Sequence, residues 1–324
     1  MKGRGHTTHA DVVAGVLLFS ICLLAVLCGL VNLYLIRRMK VFHNAFGCLA
    51  ASRTFGEMCC NLVHVLFTAP VTVIQPSLFS STAGVTIFMV ERFFGFSSCI
   101  VQLAISVNRF VAVCLPLRYK FIFTKQMVIF CIAISWIFAG ALIVGYATIP
   151  CNLIAYNPQN YNYAPLFCPN PAEKPPFIFG MVSTRVCFGA CLLTLILDVV
   201  TFFRILRLKN GAVDKDSGRN IRFFFQSFVQ NLAMMAAMAL VCFFQGDRIV
   251  NATVNSIVAF DVYYVAHICN ALTLVVLTPE VRKKLSTWFS FKKTLTTKVV
   301  NVQSESRSDW NPSVSIRSLA KSAK

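Results

Sequence analysis

The sequence has few charged residues, and acidic residues are especially scarce. Only 13% of its 324 residues are charged, and 12 Asp and Glu stand against 30 Lys and Arg, which gives a formal net charge of +18. Ordinary soluble domains carry about 25% charged residues, so this scarcity argues against a soluble enzyme and against a disordered chain. A nucleic-acid-binding protein would share the positive charge but not the 57% apolar content. The combination is typical of a multi-span membrane protein whose positive charge is confined to one side of the bilayer.

Seven long apolar segments account for the apolar content. A helix crosses the hydrocarbon core with about 20 apolar residues, and each segment is long enough to do so. The first segment is too long for a cleavable signal peptide, the less favoured alternative, and we expect it to remain as a membrane anchor. The sequence therefore predicts an all-α integral membrane protein, a bundle of seven transmembrane helices. The segments are residues 12–36, 45–73, 83–113, 127–149, 177–203, 221–244 and 253–277.

The basic residues predict how this bundle is oriented. Most of them lie in the connections after the first, third and fifth segments and in the C-terminal region, which is one side of the predicted bundle. The positive-inside rule then places the N-terminus outside and the C-terminus in the cytosol. Three arginines break the pattern because they lie inside segments: Arg53, Arg92 and Arg185.

The longest connection, residues 150–176, lies on the predicted outer side and contains Cys151 and Cys168. An oxidising exterior allows these two residues to form a disulfide that would help to order an irregular, proline-rich loop, and two free thiols are the alternative. No His flanks either Cys at metal-ligand spacing, and we predict neither a metal site nor a cofactor. Asn251 begins a glycosylation sequon on the outer side, directly before the seventh segment.

The inner end of the third segment carries a recognisable motif. It reads Asn108-Arg109-Phe110, followed by an apolar stretch and then Pro116-Leu117-Arg118-Tyr119. This resembles the Asp-Arg-Tyr and Pro-Leu-x-Tyr signature of rhodopsin-like G-protein-coupled receptors. The resemblance implies that Arg109 holds the inactive bundle closed and then meets the G-protein, whereas a positive-inside anchor is the alternative role. Because Asn108 replaces the acidic residue, the usual adjacent ion pair is lost, and the resemblance then implies raised basal activity.

Other positions indicate which group of these receptors the sequence resembles. Asn270 stands where these receptors have Asn-Pro-x-x-Tyr, but the sixth segment lacks their proline, and Arg53 replaces their sodium-binding Asp. The Asn-Arg-Phe motif, the Phe-rich stretch at residues 223–228 and the run Ala45-Phe46-Gly47 resemble the nematode serpentine receptor class X family. The resemblance covers about residues 12–285 and implies a chemosensory receptor for an environmental small molecule or peptide, not an enzyme.

Ionisable residues inside the segments are the candidate site. Each costs roughly 2.5–3.5 kcal/mol to insert, so they should face the bundle interior. Arg53 and Glu57 lie one helical turn apart, and this spacing predicts an in-helix ion pair with a structural role. Glu91 either lines a ligand pocket or is neutralised by Arg92 or Arg185. The predicted ligand-binding residues are Glu91, Arg92, Arg185, Asp261, Tyr264 and His64.

Four regions are expected along the chain. An extracellular N-terminus at residues 1–11 precedes the receptor domain at 12–277. Residues 278–291 form a basic amphipathic helix eight at the inner membrane interface, where it binds membrane lipids. The Ser-rich residues 292–324 form a disordered cytosolic tail that offers kinase and arrestin sites.

We expect the protein to act as a receptor in the plasma membrane, which includes the membrane of a sensory cilium. Its expected partners are a heterotrimeric G-protein and an unidentified chemical ligand, with no nucleic acid. A transporter or ligand-gated channel for a small solute is the alternative. That alternative favours inverted repeats and helices broken at mid-membrane, which the sequence does not display.

Overall fold

The described part of the chain contains five helices that are long and apolar enough to cross a membrane. The computed structural model describes residues 3–149, 152–166 and 178–209, and beyond them 228–229, 231–232, 234–236, 239, 262, 264–269, 272 and 281–283. The five helices coincide with the first five predicted segments. The described residues of the sixth and seventh segments are helical. The chain divides into two units, Met1–Leu277 and Thr278–Lys324.

Seven continuous helices and one hairpin make up the described ranges up to Lys209. A 3-10 turn at Lys40–Phe42 precedes the second helix, and a π-helical turn at His64–Thr68 follows it. The helices are α1 (His9–Arg38), α2 (Ala45–Val63), α3 (Ala69–Ile74), α4 (Ser81–Cys114), α5 (Pro116–Ile122), α6 (Lys125–Thr148) and α7 (Ile178–Lys209), and the strands are β1 (Ile154–Asn157) and β2 (Asn162–Pro165).

Local sequence signals set where the spanning helices begin. Thr8 and Asp11 form a capping box at the start of α1. Asn44 accepts a hydrogen bond from the Gly47 backbone N–H, and this bond caps α2. A side chain at Gly47 would collide with the Phe42 carbonyl, so only glycine allows the chain to turn this tightly into α2. These caps satisfy backbone N–H groups that have no partner within the first turn of a helix.

The second span changes its winding where a proline enters. Pro70 lies in the first turn of α3, and it has no N–H to donate to the preceding turn. The π-helical turn at His64–Thr68 accommodates this loss with one extra residue per turn. The span ends at Gln75, whose φ of 49° is left-handed.

Helix α4 lies at the centre of the described bundle and packs against α2, α6 and α7. Close approach to α2 is possible because Gly56 faces Ser98, where a larger side chain would clash. Phe88, Phe96 and Tyr146 pack together in a buried cluster that also contains Ile154. Large apolar side chains on the outer faces of α1, α6 and α7 are exposed, as expected for a surface that lipid covers.

The connection between α6 and α7 is not irregular throughout its described residues, because it contains two short strands. Strands β1 and β2 form an antiparallel hairpin in which Ile154 lies opposite Pro165 and Asn157 opposite Asn162. Tyr161 at the turn has a φ of 51°. Strand β1 packs against α4, and Ile154 joins the buried cluster around Phe88. Packing of aromatic and β-branched residues on α4 therefore outweighs the local tendency of the prolines to keep this loop irregular.

Candidate functional site

A polar cavity of about 60 Å³ lies between α2, α4, α7 and described residues of the sixth and seventh segments. Roughly 10–15 Å³ of such space is enough to hold one water. The cavity therefore has room for a small molecule. Two arginines and two glutamates contribute to its wall, together with four cysteines. These lining residues are Arg53, Glu57, Glu91, Arg92, Cys60, Cys99, Cys187 and Cys191.

Arg53 and Glu57 form an ion pair within α2. The Arg53 Nε atom lies 2.8 Å from Glu57 Oε1, and both side chains are buried. One turn further along, the Asn61 side-chain amide donates to the Glu57 backbone carbonyl at 2.6 Å. The same amide lies 2.8 Å from His267 Nδ1. The hydrogen bonds of Asn61 thus connect the part of α2 that carries the ion pair to the seventh segment.

Glu91 is 2% exposed and has basic groups on both of its carboxylate oxygens. Oε1 lies 4.0 Å from His64 Nε2, and Oε2 lies 3.7 Å from Arg92 Nε. Both predictions for Glu91 therefore apply at once. The residue lines the cavity, and it also takes part in an internal ion pair. His64 and Tyr264 lie beside it, with the Tyr264 hydroxyl 2.6 Å from His64 Nε2. Neither His64 nor Tyr264 is among the described residues that line the cavity.

The structure does not bring Arg185 to this site. Its side chain is exposed on α7, whereas its neighbour Thr184 lines the cavity. The depth of Arg185 along the helix matches that of Glu91, but successive residues of an α-helix are turned by about 100° and face different directions. The expectation that Arg185 neutralises Glu91 or contacts a ligand is corrected accordingly. Five predicted residues lie outside the described residues: Asp261, Asn270, Cys151, Cys168 and Asn251.

A chain of buried polar groups leads from the cavity toward the end of the bundle that carries Arg109. The Gln102 side-chain amide lines the cavity and donates to the Asn231 carbonyl oxygen. The Asn231 amide in turn donates to Asp198 Oδ2 and, at 3.4 Å, to the Ser106 hydroxyl. Sequence reasoning missed Gln102 and Asn231. The one available signal was the spacing of Gln102 and Ser106, which places both on one face of α4.

Arg109 lies at the inner end of this chain and is 7% exposed. Its guanidinium carbon lies 4.8 Å from the centre of the Phe46 ring, and the Asp198 carboxylate attracts its charge. Asn108 is also buried, and its side-chain amide donates to the Tyr119 hydroxyl at 3.3 Å. Of the remaining motif residues, Phe110 is half-buried, and Pro116 is exposed and begins α5.

The hairpin covers the outer end of α4 close to the cavity. The Tyr163 ring lies 5.3 Å from the Phe88 ring, and the Arg92 guanidinium lies 5.9 Å from the centre of the Tyr163 ring. Burial, together with the charge of Glu91, raises the pKa of the Tyr163 hydroxyl well above its usual range. Tyr163 therefore remains neutral near the charged groups of the cavity wall.

A second buried network fastens the N-terminal segment to the hairpin. The Asp11 side chain accepts hydrogen bonds from the Tyr161 hydroxyl at 2.6 Å and from the Gln75 amide at 2.8 Å. Arg4 lies 3.3 Å from the same carboxylate. Gln75 also donates to the Pro158 backbone carbonyl at 2.7 Å. Four separate parts of the chain therefore meet around one carboxylate at the outer end of the bundle.

Comparison with known proteins agrees with this architecture. Residues 19–278 match the family described as serpentine type 7TM GPCR chemoreceptor Srx. The chain is also similar to serpentine receptor class X 45 of Caenorhabditis elegans, with 26% identity over 178 residues. That alignment covers 49% of this chain and 48% of the relative, about half of each protein. The family is one of receptors, not of enzymes. Since the family match extends over most of the sequence, the chain belongs to the serpentine type 7TM GPCR chemoreceptor Srx family.

Proposed function

We propose that the protein is a chemosensory receptor that binds a small molecule in the polar cavity and activates a heterotrimeric G-protein. The observation that carries this proposal is the hydrogen-bonded chain that runs from the cavity to Asp198, whose carboxylate attracts the Arg109 charge. Gln102 belongs to the cavity wall, and Asn231 and Asp198 continue its hydrogen bonds toward the inner end. A ligand that moves Gln102 or Asn231 would change the groups that surround the Arg109 charge.

The ligand is proposed to be small and at least partly polar. A cavity of about 60 Å³ excludes a large peptide unless the helices move apart. Glu91 and Arg92 offer one charge of each sign, and Thr184 and Gln102 offer neutral hydrogen-bonding groups. Placed polar groups of this kind are typical of sites that orient a small ligand.

The proposed topology has seven spans, with the N-terminus outside the cell and the C-terminus in the cytosol. Its support is the concentration of basic residues in the connections and the C-terminal region on one side of the bundle. This orientation places the cavity toward the outside and Arg109 toward the G-protein. The plasma membrane is the compartment in which such a receptor meets an environmental chemical.

A cavity-filling variant tests the proposal. Cells that express the receptor are screened with small polar molecules, and calcium or cAMP is the readout. Thr184→Phe fills the cavity from α7 and is expected to abolish the response. Leu192→Phe is the matched control, because Leu192 is on the same helix and is 42% exposed. A wild-type response in Thr184→Phe at equal surface expression would contradict binding in this cavity.

A further inference from the structure

Three metal-ligating side chains meet beside the cavity. Cys60 and His64 lie on the second span, and Glu91 lies on α4. One ligand atom from each lies within 4.8 Å of those of the other two, and all three residues are buried. The Glu91 Oε1 atom lies 4.0 Å from Cys60 Sγ and 4.0 Å from His64 Nε2. We propose that Cys60, His64 and Glu91 form a zinc-binding site in the outer half of the bundle.

The geometry needs only a small adjustment to hold the ion. Zinc bonds of about 2.0–2.3 Å keep tetrahedral ligand atoms roughly 3.2–3.8 Å apart. The two 4.0 Å separations therefore have to shorten by a few tenths of an ångström, and the separation between the Cys60 and His64 ligand atoms, which is within 4.8 Å, by up to about 1 Å, changes that side-chain rotation supplies. Zinc at His64 Nε2 replaces the hydrogen bond of that atom with the Tyr264 hydroxyl and leaves the hydroxyl beside the ion.

The backbone arranges two of the ligands. Cys60 and His64 are four residues apart, which places them on one face of the helix, as in other helical metal sites with ligands at i and i+4. The π-helical turn begins at His64, and such turns occur frequently at functional sites because they redirect side chains.

The second carboxylate oxygen of Glu91 faces a residue that is not one of the three proposed zinc ligands. Oε2 faces Arg92 Nε at 3.7 Å, while Oε1 faces Cys60 and His64. Metal-bound carboxylates are usually held by an outer group of this kind, which fixes their orientation. The Arg92 side chain is itself held against the Phe88 ring at 5.4 Å.

The charges and the donor types select zinc. A thiolate and a carboxylate supply two negative charges against the two positive charges of the ion, and this compensation matters inside a bilayer. Binding releases the thiol proton of Cys60 to solvent. A mixed set of sulfur, nitrogen and oxygen donors suits zinc better than magnesium or calcium, which prefer oxygen alone.

A three-ligand zinc site leaves one coordination position for another donor. Cys60 and Glu91 both line the cavity, so this position is open to a molecule bound there. If the proposed receptor function holds, ligands with a thiol, carboxylate or imidazole group are the class that this ion would recruit. The zinc site itself does not depend on G-protein coupling, because binding of the ion is measured without any signalling readout.

Zinc retention by purified receptor tests the proposal. Wild-type receptor carrying a histidine-free affinity tag is incubated with zinc, gel-filtered and measured for bound metal. We expect one ion per receptor, and an at least tenfold loss of retention in Cys60→Ser and in Glu91→Gln. Cys59→Ser is the matched control, because Cys59 is adjacent in sequence but outside the cluster, and it should retain the ion. Unchanged retention in Cys60→Ser and Glu91→Gln, or no retained zinc in the wild type, would overturn the site.

A second measurement needs no variant and covers the case in which these substitutions prevent folding. X-ray absorption at the zinc edge of the loaded wild-type receptor reports the atoms bound to the ion. The site requires one sulfur at about 2.3 Å and nitrogen or oxygen neighbours at about 2.0–2.2 Å. A shell with no sulfur, or with two or more, would assign the ion to other residues and refute the proposal.

Discussion

Asn108 donates a hydrogen bond to the Tyr119 hydroxyl at 3.3 Å and so connects the inner end of α4 to α5. Asn108, the residue directly before Arg109, therefore links the two helices through a neutral hydrogen bond. It carries no charge that could balance the adjacent guanidinium. Arg109 is instead attracted by Asp198 on α7, while its side chain packs on Phe46. The charge that restrains Arg109 therefore comes from another helix.

The first prediction concerns basal activity. Asn108→Asp adds a carboxylate next to Arg109, which would hold the guanidinium in place as the usual adjacent ion pair does. We expect lower signalling without ligand than in the wild type, measured as cAMP or calcium in transfected cells at matched surface expression. Asn108→Ser, which removes the amide without adding charge, is the control and should not lower basal signalling. Equal basal signalling in the Asp variant and the wild type would contradict the account.

The second prediction concerns the buried pair in α2. Glu57→Gln leaves the Arg53 charge buried without its 2.8 Å partner, and breaking a buried pair in this way costs about 3–5 kcal/mol. Replacement of both residues by Met should cost far less, because no unbalanced charge remains. Thermal unfolding of detergent-solubilised receptor compares the variants. A double variant as unstable as Glu57→Gln would show that the ion pair is not what stabilises this part of the helix.

The third prediction concerns the outer network around Asp11. Asp11→Asn weakens its contacts with Tyr161, Gln75 and Arg4, and each unsatisfied buried group costs about 1–3 kcal/mol. We expect a lower unfolding temperature and faster protease cleavage of the outer connection. Gln159→Ala is the control, since Arg4 contacts only the backbone carbonyl of Gln159. Cleavage of Asp11→Asn at the wild-type rate would mean that the network does not fasten the hairpin.

The fourth prediction concerns Cys151 and Cys168, which lie outside the described residues. Ile154 is opposite Pro165 in the hairpin, and the Leu166 N–H donates to the Leu153 carbonyl at 2.8 Å, so the ladder continues by one residue in the same register. Cys151 and Cys168 each come two residues beyond this last pair in the sequence. The hairpin brings its two ends together, and an oxidising exterior allows cysteines beyond those ends to pair.

We therefore expect this disulfide in receptor isolated from the cell surface. Peptide mapping by mass spectrometry without reduction should find the two cysteines joined. Cys99 and Cys191, whose sulfurs are 3.9 Å apart and not bonded, provide an internal comparison and should be alkylated as thiols. Alkylation of both Cys151 and Cys168 in the unreduced sample would refute the pairing.

The sequence predicted those parts of the fold that depend on one segment at a time. Apolar length identified the five described spans, and the spacing of Arg53 and Glu57 placed them within reach of each other along α2. The hairpin was missed because its strands are only four residues long and are stabilised by packing on α4, a contact that local sequence does not reveal. Arg185 was misplaced because depth along a helix does not determine which face a residue occupies. The contacts of Gln102 with Asn231 and of Cys60 and His64 with Glu91 join different segments, and no single segment carries that information.

The most direct test of the proposed function is the response of the receptor when Arg109 is removed. Cells expressing the wild type or Arg109→Ala at equal surface level are exposed to a ligand identified by the screen, and calcium or cAMP is recorded. The account predicts a response in the wild type and its loss in Arg109→Ala, because the end of the polar connection that meets the G-protein is gone. A full response in Arg109→Ala would contradict the coupling role of this residue and the connection from cavity to inner surface.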